Sequence, residues 1–360
     1  VTPTVRVAAG ALREFAASVY VAAGVAEREA NVAAELLVEA DLLGFDTHGI
    51  AHLAAHPGYA PGLAGGHVQA SGGFEVVRET AATALVDGHG VLGAVTAARA
   101  TDLAIDKART TGVGVVAVRE GRHFGAACLY ALRIARAGMI GVVATNASPW
   151  VVPTFGRERM LGTNPIAVAA PTGDDRPFVC DVSTSTVAFG RIEHALRTGT
   201  RLAAGWAVDG EGRPTRDPAV VLEAGGLTPL GSTPEGSSHK GYALAASVDV
   251  LTGILSGTGW SKLLPVHTTQ AAHTFVALQV DAFAEPDDFH RDLRAMLDAL
   301  RASPAADGAE RVLVPGDREF ECRSDRNVHG VPVPELVLDE LDALAADLGV
   351  APLARDQSTT

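Results

Sequence analysis

The segment GFDTHGIAH, residues 44–52, places Asp46, Thr47, His48 and His52 together in a chain with only 12 histidines. An imidazole with its ordinary pKa of about 6.5 can give or take a proton near neutral pH, and a neighbouring hydroxyl can hold it in one orientation. His48, His52 and His56 also recur every four residues, a spacing that would line one helical face and suit a metal ion. Against that second chemistry, Pro57 follows the third histidine directly, and no carboxylate stands between them at H-E-x-x-H spacing.

Four further segments carry polar groups in places where a ligand could use them. GRHFGAACLY (121–130) sets His123 and a small-residue turn at the mouth of a helix, where free backbone N–H groups can receive a phosphate or carboxylate. LGTNPIAV (161–168) puts Thr163 and Asn164 before a proline and an apolar strand. CDVSTSTVAFGRI (180–192) clusters hydroxyls with Asp181 and leaves Arg191 beyond Gly190, and GSSHKGYALAASVDVL (236–251) opens a helix at Lys240, a place to meet an anion. Each also has a plain structural reading as a turn or a solvated surface. A fifth segment, DGHGVLG (87–93), is a formal G-x-G-x-x-G after a strand pattern and before a helix, the form of a Rossmann dinucleotide site.

The elements that must position these residues alternate between helical and strand-like patterns, which indicates an α/β or α+β chain. Residues 11–43 read as two helices divided at Gly24, the second stopping at Gly44, so the histidine segment begins where a helix ends. Strands over 82–87, 113–118 and 140–146 alternate with helices over 93–110 and 126–138 at βαβ spacing. Strands at 165–171 and 176–183 follow, then a Gly/Pro/Ser-rich loop from Gly225 to Ser238, a helix over 241–257, a strand over 273–280 and helices over 287–302 and 335–348. The end, ARDQSTT, is expected to fray.

Composition restricts the partners. At 360 residues, 47% hydrophobic and 20% charged, the chain is long enough for a large core, and its net charge of −13 opposes nucleic acid or anionic membrane as a partner. A small molecule fits better. Cys128, Cys180 and Cys322 are odd in number and far apart, so neither a disulfide framework nor a thiolate metal site is expected, and the expected compartment is the reducing cytoplasm. VTPTVRVAAG lacks the pattern of a signal peptide, and the longest run free of charged side chains, 137–156, is broken by Asn146, Pro149 and Pro153, so no membrane span is predicted.

Taken in order, ADLLGFDTHGIAHL, HFGAACLYALRIARAGMIGVV, TNASPWVVPTFGRERMLGTNPIAVAAP, DVSTSTVAFGRI, GWAVDGEGRPTRDP, HKGYALAASVDVLTGILSG and RVLVPGDREFECRSDRNVHGVPV resemble the successive blocks of the type-2 malate/L-lactate dehydrogenase family. The resemblance spans nearly the whole chain, with GTNP and KGY its most specific pair. It implies an α/β fold that is not Rossmann, with mixed sheets and flanking helices, and makes DGHGVLG a structural turn. It also implies a homodimer, a central α/β cofactor-binding region over 81–284, and helical, dimerisation and substrate-side segments over 1–80 and 285–360.

By the same resemblance His48 is the proton donor and acceptor, with Thr47 as its hydroxyl neighbour where the family usually has serine. His123, Phe124, Gly125, Ala126 and Ala127 look like cofactor contacts, as do Asp181, Val182 and Ser183, Lys240, and Pro315 with Gly316; Thr163 looks like a substrate contact. The implied cofactor is NAD or NADP. The chain departs from the family at two positions. His52 stands where an arginine usually grips the substrate carboxylate, and Arg191 stands where some imine-reducing members have aspartate and many alcohol-oxidising members lysine. An imidazole offers at most two divergent donors in place of a planar charged fork, so an atypical substrate is expected. Arg191 or Arg122 could instead hold the carboxylate.

The resulting expectation is a nicotinamide-dependent oxidoreductase acting between 2-oxo and 2-hydroxy acid-like compounds, with no metal. A cyclic imine (imino acid) reductase of the same family is the alternative. From another class, a metal-dependent hydrolase or metal-binding protein would use His48, His52 and His56.

Overall fold

The computed structural model describes residues 3–266 and 269–355. From Asp356 onward, the expected frayed end lies outside the described residues. In chain order the elements are β1 (Thr4–Val7), α1 (Ala9–Ala22), α2 (Glu27–Leu42), α3 (Ala51–Ala55), α4 (Ala60–Ala64), β2 (Glu75–Glu79), β3 (Thr83–Asp87), α5 (Gly93–Thr111), β4 (Val113–Arg122), α6 (Cys128–Arg136), β5 (Met139–Thr145) and β6 (Ile166–Ala170). They continue with β7 (Phe178–Val182), α7 (Gly190–Thr198), β8 (Ala207–Val208), β9 (Pro214–Thr215), α8 (Pro218–Glu223), β10 (Gly226–Leu227), α9 (Ser238–Asp249), β11 (Gln270–Gln279), α10 (Pro286–Arg301), α11 (Asp317–His329), β12 (Val331–Pro334) and α12 (Glu335–Leu348). A π-helical turn, Val250–Ile254, extends α9.

Seven strands form one mixed sheet in the order β2-β3-β4-β11-β5-β6-β7. Only β3 and β4 pair in parallel, through the crossover helix α5; the other five pairings are antiparallel. The βαβ spacing at 113–146 therefore does not make β4 and β5 neighbours: β11, from far along the chain, lies between them and pairs antiparallel with both. Small side chains let α5 lie close on the sheet. Ala97, Ala100, Ala104 and Ala108 are buried at helical spacing, and a Cβ on Gly114 of β4 would come within 1.9 Å of the Ala104 carbonyl oxygen. α6 packs beside α5 in the same core, with Leu129, Tyr130 and Ile134 buried.

A second core joins both ends of the chain. β1 pairs antiparallel with β12, and α1, α2 and α12 close over Leu12, Tyr20, Val38, Leu53 and Leu338. A third, smaller core, including Val151, Ile192, Leu202, Val221 and Leu227, lies under α7, α8 and the β10-β8-β9 sheet.

The glycine-rich turn after β3 is structural. Its amides already have partners: Gly88 donates to the Arg119 carbonyl, His89 to the Asp87 carboxylate, Gly90 to the Glu120 carbonyl, Val91 to the Gly88 carbonyl and Leu92 to the Gln69 carbonyl. None of these is left to cradle a pyrophosphate, which the Rossmann turn requires. Gly93 serves close packing, because a Cβ there would lie 2.2 Å from the His123 carbonyl oxygen.

Candidate active site

α2 ends at Leu42 with Leu43 as its cap, and Gly44 at φ +85° turns the chain out of the helix. The next loop is held from beneath. The Asp41 carboxylate accepts the Ile50 amide at 2.7 Å, and a Cβ on Gly49 would collide with that carboxylate at 1.9 Å. Arg326, reaching across from α11, binds the Asp41 carbonyl and the Asp46 carboxylate. This anchoring fixes Thr47 and His48, whose Oγ1 and Nδ1 are 3.0 Å apart.

Three further imidazoles surround His48. The His48 ring lies 5.7 Å from that of His52 and stacks at 5.7 Å on that of His123. His56 lies 4.5 Å from both His52 and His123, centroid to centroid. The Tyr59 hydroxyl, 3.1 Å from His123 Nδ1, closes the far wall. Burial makes the charged forms unfavourable: it lowers His48 and His56 to about 4, His56 with a further push from His48. His52 and His123 are depressed further, first by burial and then by repulsion from the neighbouring imidazoles.

The expected face of three helical histidines is not what forms. His48 precedes α3, only His52 lies within it, and His56 caps its C-terminal end just before Pro57. The compact nitrogen cluster is instead His52, His56 and His123, with one ligand atom from each within 4.8 Å of the others. The sequence suggested His48 as the third ligand because it lies at the right interval. His123 comes from the end of β4, and only the fold brings it there.

Two of the segments expected to meet a cofactor lie side by side. Phe124 is buried and stacks 4.4 Å from His273, Gly125 takes φ +88° with its amide toward His123 Nδ1, and Ala126 and Ala127 are buried at the start of α6. Asp181 at the end of β7 accepts the Cys128 amide at 2.8 Å. At the helix mouth, where free amides were expected, one donor is thus already taken by the protein's own carboxylate. Val182 is exposed, and Ser183 donates to the Ser185 carbonyl.

Thr163 offers its carbonyl to the Thr184 amide and hydroxyl, while Asn164 beside it enters a buried network with Asp249, Asn146 and Ser261. Lys240 is exposed near the start of α9, without a side-chain hydrogen bond among the described residues. Gly316, at φ +104°, precedes α11 and packs against Pro177 and Val179 by β7. No contact among the described residues ties Lys240, Pro315 or Gly316 to the histidines.

Arg122 is committed elsewhere, its Nε to the His67 carbonyl at 2.8 Å and its Nη1 to the Gly121 carbonyl at 3.0 Å. Arg191 is exposed on α7, next to Gly190, whose Cβ position would touch Thr47 at 3.3 Å. On the same helix, Arg197 is near enough to His52 to oppose its protonation. Arg197, Tyr59 and the anchoring pair Asp41 and Arg326 were not picked out from the sequence. Tyr59 could have been, since it lies seven residues after His52 and three after His56.

The family described as Malate/L-lactate dehydrogenase matches residues 7–342. A malate dehydrogenase of Pyrococcus abyssi is 38% identical over 350 residues, 96% of each chain. An L-sulfolactate dehydrogenase of Methanothermobacter thermautotrophicus is 35% identical over 335 residues, 91% of this chain and 93% of the other. The structure of malate dehydrogenase from Pyrococcus horikoshii OT3 superposes with a TM-score of 0.90 at 37% identity, covering 97% of both chains. A metal-dependent hydrolase is not favoured by likenesses of this extent. The chain belongs to the malate/L-lactate dehydrogenase family and is an oxidoreductase with that family's non-Rossmann fold.

Proposed function

We propose that the protein uses NAD or NADP to interconvert a 2-oxo acid-like compound and its 2-hydroxy form, with His48 moving the proton. The observation that carries this reading is the half-buried pair of Thr47 and His48, 3.0 Å apart, with the rings of His52 and His123 beside it. When bound, the nicotinamide supplies or accepts the hydride. His48 gives its proton to the substrate oxygen during reduction and takes it back during oxidation. Thr47 holds the ring by its Nδ1, and burial keeps it neutral at rest, ready to act as the base for a hydroxy acid.

The residues present fit a dinucleotide. Val182 presents apolar surface at the end of β7, Gly125 leaves space around its backbone with only the Tyr59 hydroxyl within 4 Å of a Cβ, and Lys240 carries an unpaired ammonium among the described residues. His123 to Ala127, Asp181 to Ser183, Lys240, and Pro315 with Gly316 would hold it. Thr163, His52 and Arg191 would face the substrate. The test is absorbance at 340 nm with NADH and NADPH against a panel of oxo acids, cyclic imino acids and hydroxy amides. Consumption of one cofactor with an oxo acid is expected; no turnover and no calorimetric binding of either cofactor would overturn the reading.

The same reading takes the protein as a cytoplasmic homodimer. No helix among the described residues is long and apolar enough to cross a membrane, and all three cysteines are free thiols. α9 and its π-helical turn expose Leu244, Val250, Leu251, Ile254 and Leu255, an apolar surface suited to a second copy. The dimer contact is therefore assigned to the central region, in place of the terminal segments the sequence suggested.

A further inference from the structure

We infer that His52, His56 and His123 form a binding site for one divalent ion of the zinc(II) class, and that this ion holds the substrate's acidic group where the family's arginine is missing. The second half rests on the function proposed above; the first half does not. Three imidazoles converge from two parts of the chain, α3 with its C-terminal cap and the end of β4. Their candidate ligand atoms lie within 4.8 Å of one another. A tetrahedral ion with bonds of about 2.0–2.1 Å needs ligand atoms roughly 3.3 Å apart, so modest side-chain rotation closes the set.

Two observations point to an absent ligand. His52 Nδ1 is buried with no hydrogen-bond partner, although buried polar atoms are ordinarily paired. The Tyr59 hydroxyl stands 3.1 Å from His123 Nδ1 and can accept that ring's proton once the Gly125 amide, 3.4 Å from the same nitrogen, turns aside, which leaves Nε2 free to ligate with the usual outer support of a metal-bound histidine. His56 must turn most, since its Nδ1 now accepts the Gly58 amide at 3.1 Å.

The ligand chemistry also sets what the ion would bind. Three neutral imidazoles neutralise none of its charge, and soft or borderline nitrogen ligands favour zinc, cobalt, nickel and copper over magnesium or calcium. The fourth position would carry two full positive charges close to His48, whose ring is 5.7 Å from those of both His52 and His123. An anionic carboxylate oxygen is the natural occupant.

Chelator-treated protein titrated with cobalt(II) tests the site through the visible absorption of tetrahedral cobalt. We expect one equivalent to bind, zinc(II) to displace it, and both His56→Ala and the more conservative His56→Gln to weaken binding by about a hundredfold or more while retaining the wild-type circular dichroism. Oxamate, a non-reducible oxo-acid mimic, should shift the cobalt spectrum. No tetrahedral band, or binding unchanged in both His56 variants, overturns the site. A band that oxamate leaves unmoved overturns the clamp. The spectrum needs no turnover, so a protein that binds cobalt but reduces no oxo acid would refute the proposed function and leave the metal site standing.

Discussion

The Asp41 carboxylate and the Ile50 amide, nine residues apart, meet at 2.7 Å and tie the end of α2 to the loop that carries His48. Asp41 is buried, and burial raises its pKa to about 8 despite the Ile50 amide, so at neutral pH it is mostly an uncharged acceptor.

An uncharged acceptor can be replaced by an amide. Asp41→Asn should keep kcat within a few-fold, whereas Asp41→Ala should leave the Ile50 amide unpaired, lower stability by about 1–3 kcal/mol and lower kcat with it. The pH dependence has a definite sign. Between the ordinary value of 3.8 and the folded value of about 8, the folded state holds a proton that the unfolded state has lost, so the stability Asp41 contributes is fully present below 3.8, declines as pH rises across that window and is gone above about 8. Melting curves from pH 6 to 9 should show a decline in wild type and a shallower one in Asp41→Asn; equal slopes would contradict the assignment.

His48→Ala should reduce kcat by about 10²- to 10⁴-fold, the usual range for lost proton transfer, with cofactor affinity changed by no more than a few-fold. Steady-state rates together with calorimetric cofactor binding separate the two effects. A variant with near-normal kcat would remove His48 from the chemistry.

Lys240 is exposed on the first turn of α9 and is assigned to the cofactor. Lys240→Ala should raise the cofactor Kd by about tenfold, roughly 1.4 kcal/mol, while the rate at saturating cofactor stays close to wild type. Fluorescence titration of NADH and NADPH gives the answer, and an unchanged Kd would make Lys240 an ordinary solvated side chain.

His52→Arg should restore a permanent, planar, two-pronged contact for a carboxylate. A gain of about ten- to a hundredfold in kcat/KM on small oxo acids such as pyruvate or oxaloacetate is expected, without dependence on added metal and with a loss on the native substrate. No gain on any oxo acid would mean that Arg191 or another group already holds the acid.

Ile254→Asp and Leu255→Asp each place a charge in the exposed apolar surface beyond α9. Light scattering at micromolar concentration should find a dimer in wild type and a monomer in either variant. A monomeric wild type would refute the dimer itself.

What could be read from the sequence divides by range. α2, α5 and α12 are legible because their apolar residues repeat at helical spacing and Gly44, Gly112 and Gly349 follow each end at positive φ. β12 is not, because VPVP carries two prolines, which sequence reading assigns away from a paired strand; here they fit a two-stranded ribbon with open edges. The insertion of β11 between β4 and β5 leaves no local trace. The site shows the same division: Asp41, Thr47, His48, His52 and His56 stand together in the sequence, while His123, Arg197 and Arg326 join them only through the fold.

The pairing of β1 with β12 matters for how the chain is made. Val7 meets Val331, so the first strand leaves the ribosome about 320 residues ahead of its partner. At synthesis rates of about 5–20 residues per second it waits on the order of 16–65 s. Through that interval Val5 and Val7 have no strand beside them, and α1 and α2 lack the cover of α12. The histidine loop at the end of α2 therefore reaches its final anchoring late, because Arg326, which grips Asp41 and Asp46, belongs to the last part of the described chain to emerge.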